Sequence, residues 1–463
     1  MFSLNIHREP SRSGRTSVVR KPSPAVPLKT QRPSMRILLL TDSFLPHAGG
    51  SREYYYNIYR ELAARKDVEI TVVTKKVPGW KAFDKESALP SLRIFRQFRP
   101  LKSWKLWELP KAIFPLFHAI WRTMRDSPTT IHVGDLYPQG VIAVFLKKVA
   151  RIPFVIYCHG EEITQTDRFR YQPRIRNRIY KSAAKIVANS EFTVRQLLRI
   201  GIPANHIVKI TPGVDAERFS PAAPAPELID RYQLAGKLVV LTVGRLVPRK
   251  GHQGSLQAFT SVCKEFDNVQ YVIAGAGPEE DSLRRFANEL GIEQKVTFTG
   301  LVKAEDLPRL YDVCDIMLLA NRQELNGDVE GFGIVFLEAS AAGKPVIGCD
   351  SGGATEAISD GLTGFIAKPD DVEQLASLLR MLISDRELRE RAGAAGRSRA
   401  IADFSWKERA HKLYGVNLLL ESKRQFTESL PSDVPDNYAI GRESKGFNES
   451  LPATEHPDRV VRR

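Results

Sequence analysis

Two acidic residues frame a glycine-containing segment at residues 330–338 (EGFGIVFLE). The apolar run after Gly333 predicts a helix that begins near this glycine, so Glu330 would precede the helix and Glu338 would lie on it. The N–H groups of a first helical turn have no partner within the helix and attract phosphates and hydroxyls. The two carboxylates could each bind a pair of sugar hydroxyls. A solvated loop acid and a helix-face acid are the alternative, although a charge among the apolar neighbours of Glu338 needs a reason.

Two cations follow a predicted buried strand at residues 238–243 (LVVLTV). Arg245 and Lys250 lie in the loop after this strand, within the segment VGRLVPRK. Ligands of open parallel sheets bind beyond the carboxyl ends of the strands, which makes both side chains candidates for ligand contact. Two fixed cations could stabilise the negative charge of a departing nucleoside diphosphate without a metal ion. Ordinary surface cations are the alternative.

Glycines and one histidine follow predicted strands in the first half of the chain. Gly49 and Gly50 could bring backbone N–H groups to a phosphate or a sugar, although any tight turn also explains two glycines. Neither this loop nor the later pair Gly275 and Gly277 completes a GxGxxG motif, so a nicotinamide cofactor is poorly supported. His159 ends a predicted strand and could hydrogen-bond a transferred sugar or an acceptor; a core histidine is the alternative.

The elements that must position these residues are strands that alternate with helical stretches. Short apolar runs predict buried parallel strands. They lie at 36–41, 68–74, 131–134, 153–159, 185–189 and 207–211 in the first half, and at 238–243, 269–274, 296–299, 315–320 and 345–349 in the second. This rhythm is typical of doubly wound α/β sheets. We therefore expect two Rossmann-like domains that face each other across a cleft, with the ligand between them.

A Pro- and Ala-rich break at residues 220–226 (SPAAPAP) is predicted to link the two domains. Both ends of the chain lack core-forming runs and are predicted to be disordered. The predicted units are a disordered basic tail at 1–34, an N-terminal domain at 35–215, a C-terminal domain at 227–403, a helix at 404–420 and a disordered tail at 421–463.

Composition bounds the class of protein. The chain has 463 residues and a formal net charge of +15, which favours anionic partners such as nucleic acid, an acidic membrane face or phosphorylated small molecules. Its four cysteines form no CxxC pair, which argues against a zinc site or a disulfide framework. No apolar run approaches the roughly 18 residues that span a bilayer. We expect a cytoplasmic protein, with an organelle transit peptide as the alternative for the Arg- and Ser-rich N-terminus.

Two basic stretches in the first half could contact an anionic surface. Residues 93–107 (RIFRQFRPLKSWKLW) mix cations with aromatic side chains, and residues 168–181 (RFRYQPRIRNRIYK) do the same. This mixture suits a membrane with acidic lipids. It would also suit RNA, but no nucleic-acid motif accompanies it. Solvated helix and loop charges are the further alternative.

Taken together, the motifs resemble the family-four retaining glycosyltransferases of the GT-B fold. The resemblance covers about residues 35 to 420, in the family's order. It is carried by the two segments around Arg245 and Glu330, the early Gly-Gly loop, and further short motifs. These are His159-Gly160, residues 211–215 (TPGVD), 274–278 (AGAGP), 343–347 (GKPVI), 351–353 (SGG), 360–364 (DGLTG) and 404–406 (FSW).

The resemblance implies a role for each candidate residue. Glu338 would bind the ribose of the nucleotide, and Glu330 would hold hydroxyls of the donor sugar. The backbone N–H groups that would assist Glu330 belong to Gly331, Phe332, Gly333 and Ile334. Arg245 and Lys250 would hold the diphosphate, helped by the loop of Gly49 and Gly50. His159, Arg245, Lys250 and Glu330 would form the catalytic group, with His159 facing the sugar and the acceptor.

The resemblance also implies the reaction. The N-terminal domain would bind the acceptor and the C-terminal domain the nucleotide-sugar, with residues 404–420 crossing back to the first domain. The anomeric configuration would be retained without a metal or a cofactor, the nucleotide-sugar being a co-substrate. A sugar, a polyol or a lipid-linked molecule would be the acceptor. Residues 326–328 (NGD) resemble the subset that includes phosphatidylinositol mannosyltransferases, which implies a peripheral position on the inner membrane face. The residues after Gly50 depart from the family pattern, and this departure falls on the acceptor side.

Three other functions stay open at this point. A nucleotide-sugar 2-epimerase has the same fold and would alter the sugar without an acceptor. A non-catalytic binding module would have kept the fold and lost activity, against which the intact set of charged residues argues. A nucleic-acid binder rests on net charge alone and is not predicted.

Overall fold

Thirteen strands form two parallel sheets in the part of the chain that the computed structural model describes, residues 34–46, 49–97, 119–165 and 173–429. The first sheet consists of β1 (Met35–Leu40), β2 (Val68–Lys75), β3 (Leu92–Gln97), β4 (Thr130–Val133), β5 (Phe154–Cys158), β6 (Lys185–Ala188) and β7 (Ile207–Lys209). The second sheet consists of β8 (Leu238–Val243), β9 (Val269–Ala274), β10 (Val296–Gly300), β11 (Ile316–Leu318), β12 (Val346–Cys349) and β13 (Gly364–Ala367).

Helices connect the strands. They are α1 (Gly50–Ala63), α2 (Trp80–Glu86), α3 (Val141–Ala150), α4 (Glu161–Thr164), α5 (Pro173–Ser182), α6 (Glu191–Arg199), α7 (Pro226–Tyr232), α8 (His252–Cys263), α9 (Glu280–Glu289), α10 (Leu307–Asp312), α11 (Ile334–Ala341), α12 (Ala354–Ala357), α13 (Val372–Ser384), α14 (Arg386–Asp403) and α15 (Trp406–Ser429). Residues 119–126 are also helical, and tighter or wider helical turns cover Leu136–Gly140, Ala204–His206, Pro248–Lys250 and Glu293–Lys295.

The two sheets share one topology. The strand orders are β3-β2-β1-β4-β5-β6-β7 and β10-β9-β8-β11-β12-β13. In each sheet the first strand, β1 or β8, lies between two strands whose connections run in opposite directions. Such a switch point opens a crevice at the carboxyl ends of the strands. The predicted fold class, two Rossmann-like domains, is confirmed.

The strands are buried on both faces, which explains their continuous apolar sequences. In β1, Ile37 and Leu39 belong to one core cluster, whereas Leu38 and Leu40 belong to the cluster on the opposite face. The second sheet is covered in the same way by two further clusters. Helices on both faces therefore fix the sheet edges on which the candidate residues lie.

The last helix belongs to the core of the first sheet. Trp406 and Leu413 of α15 are buried there, and α15 packs along α1. The Asn417 side chain on α15 hydrogen-bonds His132 of β4 through Oδ1 and Nε2 at 3.0 Å. The helix continues to Ser429, nine residues past the predicted end at 420, which corrects the predicted start of the C-terminal tail. The predictions for residues 1–33 and 430–463 lie outside the described residues.

Two strands, β3 and β13, were not predicted from the sequence. β3 contains the start of the first basic stretch, which therefore belongs partly to the sheet. Residues 93–97 lie in β3, where the Arg96 guanidinium donates to Asp84 at 2.7 Å. The Arg96 side chain is only 1% exposed. Arg96 therefore stabilises the fold and does not face a membrane. Residues 98–107 of this stretch, and 168–172 of the second, lie outside the described residues.

No helix among the described residues combines the length and the apolar character that a bilayer crossing requires.

Candidate functional site

Loops of the two domains meet beyond the carboxyl ends of the sheets. A Cβ atom added to Gly331 would stand 2.8 Å from the backbone oxygen of His159, closer than real contacts allow. Gly50 is similarly near the second domain, because a Cβ atom there would lie 3.8 Å from Cδ1 of Ile334. The start of α1 therefore faces the start of α11 across the cleft. Glycine at position 331 permits this direct approach of two backbones.

A buried ion pair lies at the centre of the cleft. The turn Pro248–Lys250 after β8 brings the Lys250 ammonium within 2.6 Å of Oε2 of Glu330, and the two side chains are 8% and 12% exposed. Burial opposes ionisation of Glu330, but the charges of Lys250 and Arg249 hold the pKa of this carboxyl below its ordinary value. Burial lowers the pKa of Lys250. The pair thus presents fixed opposite charges to a ligand.

Arg245 stands beside this pair and remains exposed. Its backbone oxygen lies 3.1 Å from Nε2 of His252, which ties the loop to the start of α8. The charge of Arg245 contributes to lowering the pKa values of both Lys250 and Glu330. The structure therefore brings Arg245, Lys250 and Glu330 together.

Glu338 lies on α11, the helix that follows the loop of Glu330. The Tyr311 hydroxyl donates to Oε2 of Glu338 at 2.9 Å. Burial raises the pKa of Glu338 to about 7, and the negative charge of Glu53 on α1 adds to the effect, whereas Arg218 opposes it. Because Glu338 is buried, a hydrogen bond from a ligand hydroxyl to its carboxylate would be stronger than the same bond in water.

The loop between the two acids presents backbone groups. Gly333 has a φ of 84° and caps α11, and a Cβ atom there would stand 2.6 Å from the Phe336 ring. The Phe332 side chain is buried against Phe404, with ring centroids 6.0 Å apart. Phe332 could therefore contact a ligand only through its backbone, because its side chain lies in the core.

The N-terminal helix α1 begins in the same way at Gly49. The N–H groups of Arg52 and Glu53 donate to the Gly49 oxygen, both at 3.0 Å. The earlier N–H groups of this helix have no acceptor within the helix. Gly49 and Gly50 thus lie on the first-domain wall of the site.

His159 is held in one protonation state. Its Nε2 lies 2.7 Å from the Tyr55 hydroxyl, which donates to the Gly134 oxygen at 2.7 Å. The single hydroxyl proton goes to the carbonyl, so Nε2 carries a hydrogen and donates to Tyr55. Burial lowers the pKa of His159 to about 4. The neutral ring therefore retains Nδ1 as an acceptor.

Several residues of the site were not predicted from the sequence. Asp135 follows β4 and accepts the Thr41 hydroxyl at 2.8 Å and the Asp42 N–H at 2.6 Å. Arg249 lies 3.2 Å from Asp328, which also accepts from Gln165 of the first domain at 2.9 Å. The available signals were the position of Asp135 directly after a predicted strand and the place of Arg249 next to Lys250.

Comparisons with known proteins match both halves of the chain to glycosyltransferase families. The family model "Glycosyl transferases group 1" matches residues 226–399, and "Glycosyltransferase Family 4" matches residues 48–218. A "GDP-mannose-dependent alpha-(1-6)-phosphatidylinositol monomannoside mannosyltransferase" of Mycobacterium tuberculosis is 31% identical, over 82% of this chain and 97% of that protein. The enzyme of Corynebacterium glutamicum named for the monoacylated form of that substrate is 29% identical, over 83% and 98%. The crystal structure of Anabaena HepE with UDP-glucose covers 86% of this chain and all of that one, at 22% identity and a TM-score of 0.68.

Proposed function

Because the chain belongs to the group 1, family-four glycosyltransferases of the GT-B fold, we propose that it transfers mannose from GDP-mannose to a phosphatidylinositol-type lipid. Transfer of a sugar from a nucleotide-sugar follows from the family. We infer the donor and the acceptor from the relatives that this chain matches over nearly the whole of their length. A 2-epimerase has no support, since these relatives are transferases.

One observation carries the site assignment: the buried pair of Lys250 and Glu330 beside Arg245. The two cations would bind the diphosphate, and Glu330 with the N–H groups of residues 331–334 would hold hydroxyls of the sugar. Glu338, on the following helix, would bind the ribose. His159 would accept a hydrogen bond from the sugar or the acceptor through Nδ1.

We propose that the reaction retains the anomeric configuration and uses neither metal nor cofactor. The bond between the anomeric carbon and the phosphate oxygen would break, and the acceptor oxygen would attack from the same face. The acceptor proton would pass to the departing phosphate, which yields GDP and the glycoside. Arg245 and Lys250 would stabilise the charge that develops on this phosphate.

A membrane would deliver the acceptor, and the first domain offers a surface for it. Val141, Phe145 and Val149 recur every four residues along α3 and are 42–67% exposed. The adjoining α5 exposes Arg174 and Arg178. No acid occurs in residues 136–160 or 173–190. An exposed apolar stripe beside unopposed cations suits peripheral binding to an anionic inner membrane face.

Donor binding tests the site. Thermal shifts with GDP, GDP-mannose, UDP and UDP-glucose should show the largest increase in Tm with GDP-mannose or GDP. Arg245→Ala and Glu338→Gln should reduce that increase and leave the far-ultraviolet circular dichroism spectrum unchanged. Wild-type shifts in both variants would contradict the assignment. Nuclear magnetic resonance of the product would show an α-linkage if the enzyme retains configuration.

Liposome sedimentation tests the membrane surface. Phe145→Asp with Val149→Asp should abolish sedimentation with phosphatidylglycerol vesicles. The matched control is Leu362→Asp, since Leu362 is 60% exposed on the second domain. Unchanged sedimentation of the double variant would remove α3 from the proposal.

A further inference from the structure

A loop of the second domain contacts the first domain beside the segment of His159. A Cβ atom added to Gly327 would stand 1.8 Å from the oxygen of Thr164, the last residue of α4, so the two backbones touch. Gln165, the next residue, donates through Nε2 to Oδ1 of Asp328 at 2.9 Å. Because α4 begins directly after Gly160, this contact joins the segment of His159 to the second domain.

The carboxylate of Asp328 also holds the Arg249 guanidinium. Nη1 of Arg249 lies 3.2 Å from Oδ2 of Asp328 and 3.5 Å from Oδ1. The two side chains are 14% and 20% exposed, so salt and water screen this pair less than a surface pair. Asp328 therefore bridges a hydrogen-bond donor of the first domain and a cation of the second.

Arg249 is shared between two acids. Its Nε lies 3.8 Å from Oε2 of Glu330, which is longer than a hydrogen bond, whereas Nζ of Lys250 lies 2.6 Å from the same oxygen. Burial opposes ionisation of Arg249, but the charges of Glu330 and Asp328 hold its pKa above its ordinary value. The buried Nε–H of Arg249 has no hydrogen-bond partner among the described residues. If Asp328 released Nη1, the guanidinium would gain a charge-assisted hydrogen bond by moving onto Glu330.

We propose that Asp328 is a positioning residue that holds Arg249 away from Glu330, and that Gln165 of the first domain orients Asp328 for this role. This inference rests on the proposed function, in which Glu330 accepts hydrogen bonds from hydroxyls of the donor sugar. A guanidinium bound to Glu330 would occupy the oxygens that the sugar needs. The sugar subsite would therefore be complete only when the two domains are in contact.

Isothermal titration calorimetry with GDP and with GDP-mannose separates this role from a general loss of structure, because only GDP-mannose carries the sugar. Asp328→Asn keeps an oxygen for Gln165 and removes the charge that holds Arg249. It should weaken the binding of GDP-mannose by about tenfold and should not weaken the binding of GDP. Gln165→Ala should act in the same selective way, by a smaller factor. Equal losses for the two ligands in either variant, or no loss for GDP-mannose, would overturn the inference.

Arg249→Met tests whether Asp328 acts through Arg249. In this background Asp328→Asn should cause no further loss of GDP-mannose affinity, because the group that would move onto Glu330 is gone. A loss as large as in the wild-type background would contradict the positioning role. Asp370→Asn is the matched control, since Asp370 lies 3.2 Å from Arg322 in the second domain and is 67% exposed. This control should leave both affinities unchanged.

The wild-type protein distinguishes the possible failures. If it prefers UDP-glucose, the proposed donor is wrong, and the same comparison between UDP and UDP-glucose tests Asp328. If it binds no nucleotide-sugar, the proposed function and this inference fail together. If it binds GDP-mannose and Asp328→Asn binds GDP-mannose equally well, only the role of Asp328 fails.

Discussion

At the scale of single residues, the pair of Lys250 and Glu330 combines a role in stability with the proposed role in binding. Removal of one partner leaves a buried charge without compensation, whereas replacement of both can be nearly neutral. Lys250→Met should therefore lower the free energy of unfolding by about 3–5 kcal/mol, and Lys250→Met with Glu330→Gln should recover most of that loss. Urea denaturation measures both.

The exposed pair of Lys303 and Glu305, 77% and 76% exposed, provides the control. Glu305→Gln should change the free energy of unfolding by less than about 1 kcal/mol. A double variant as unstable as Lys250→Met alone would show that the loss comes from packing and not from the uncompensated charge.

Glu338 gives a pH dependence of stability. Burial and the negative charge of Glu53 raise its pKa from 4.5 to about 7, although the positive charges of Arg218 and Lys250 oppose this increase. The folded protein thus binds the proton more tightly than the unfolded chain, and stability falls as pH rises from about 4.5 to about 7. Glu338→Gln should remove this fall, worth up to about 3 kcal/mol, and should raise Tm more at pH 8 than at pH 5. An equal change in Tm at both pH values would contradict the assignment.

At the scale of elements, the start of α11 depends on glycine. Gly333 adopts a left-handed conformation, and a methyl group there would meet the Phe336 ring. Gly333→Ala should destabilise the protein by about 1–3 kcal/mol and weaken nucleotide binding, because the N–H groups of the loop move. Denaturation and calorimetry check both effects.

Gly415 in α15 is the control for this substitution, since nothing lies within 4 Å of a Cβ atom there. Gly415→Ala should stabilise the helix by up to about 1 kcal/mol. Equal effects at the two positions would show that backbone freedom, and not the fit at the start of α11, determines the loss.

Most elements were predictable because buried parallel strands have continuous apolar sequences. The missed strands were β3, whose sequence LRIFRQ carries two arginines, and β13, whose sequence GFIA contains only two large apolar residues. The site was predictable where its residues are close in sequence, as for Glu330 and Glu338. The pairing of Tyr55 with His159 spans 104 positions and follows from the packing of α1 on the sheet, which no local pattern encodes.

At the scale of the whole molecule, charged contacts hold the two domains together. Glu356 of α12 accepts from the N–H of Glu191, the first residue of α6 in the other domain. Lys209 lies 3.2 Å from Glu191 and 3.3 Å from Glu356. A carboxylate at a helix N-terminus is stabilised there, and partly exposed pairs weaken as salt screens them.

Glu356→Gln with Lys209→Ala should therefore favour an open arrangement. Small-angle X-ray scattering should show a larger radius of gyration without nucleotide, and a smaller difference from wild type with GDP. Glu305→Gln is again the control, because its ion pair lies within one domain. A radius equal to that of wild type without nucleotide would mean that other contacts hold the closed form.

The return of α15 to the first domain also affects how the chain is made. Synthesis on the ribosome proceeds from the N-terminus, so the second sheet and its helices emerge before Trp406, Leu413 and Val416 fill the core beside α1. The N-terminal domain usually folds first during translation. Here its core is complete only after the C-terminal domain has been synthesised. The domain that is started first is finished last, and a nascent chain released early exposes the aromatic face of α1 to chaperones.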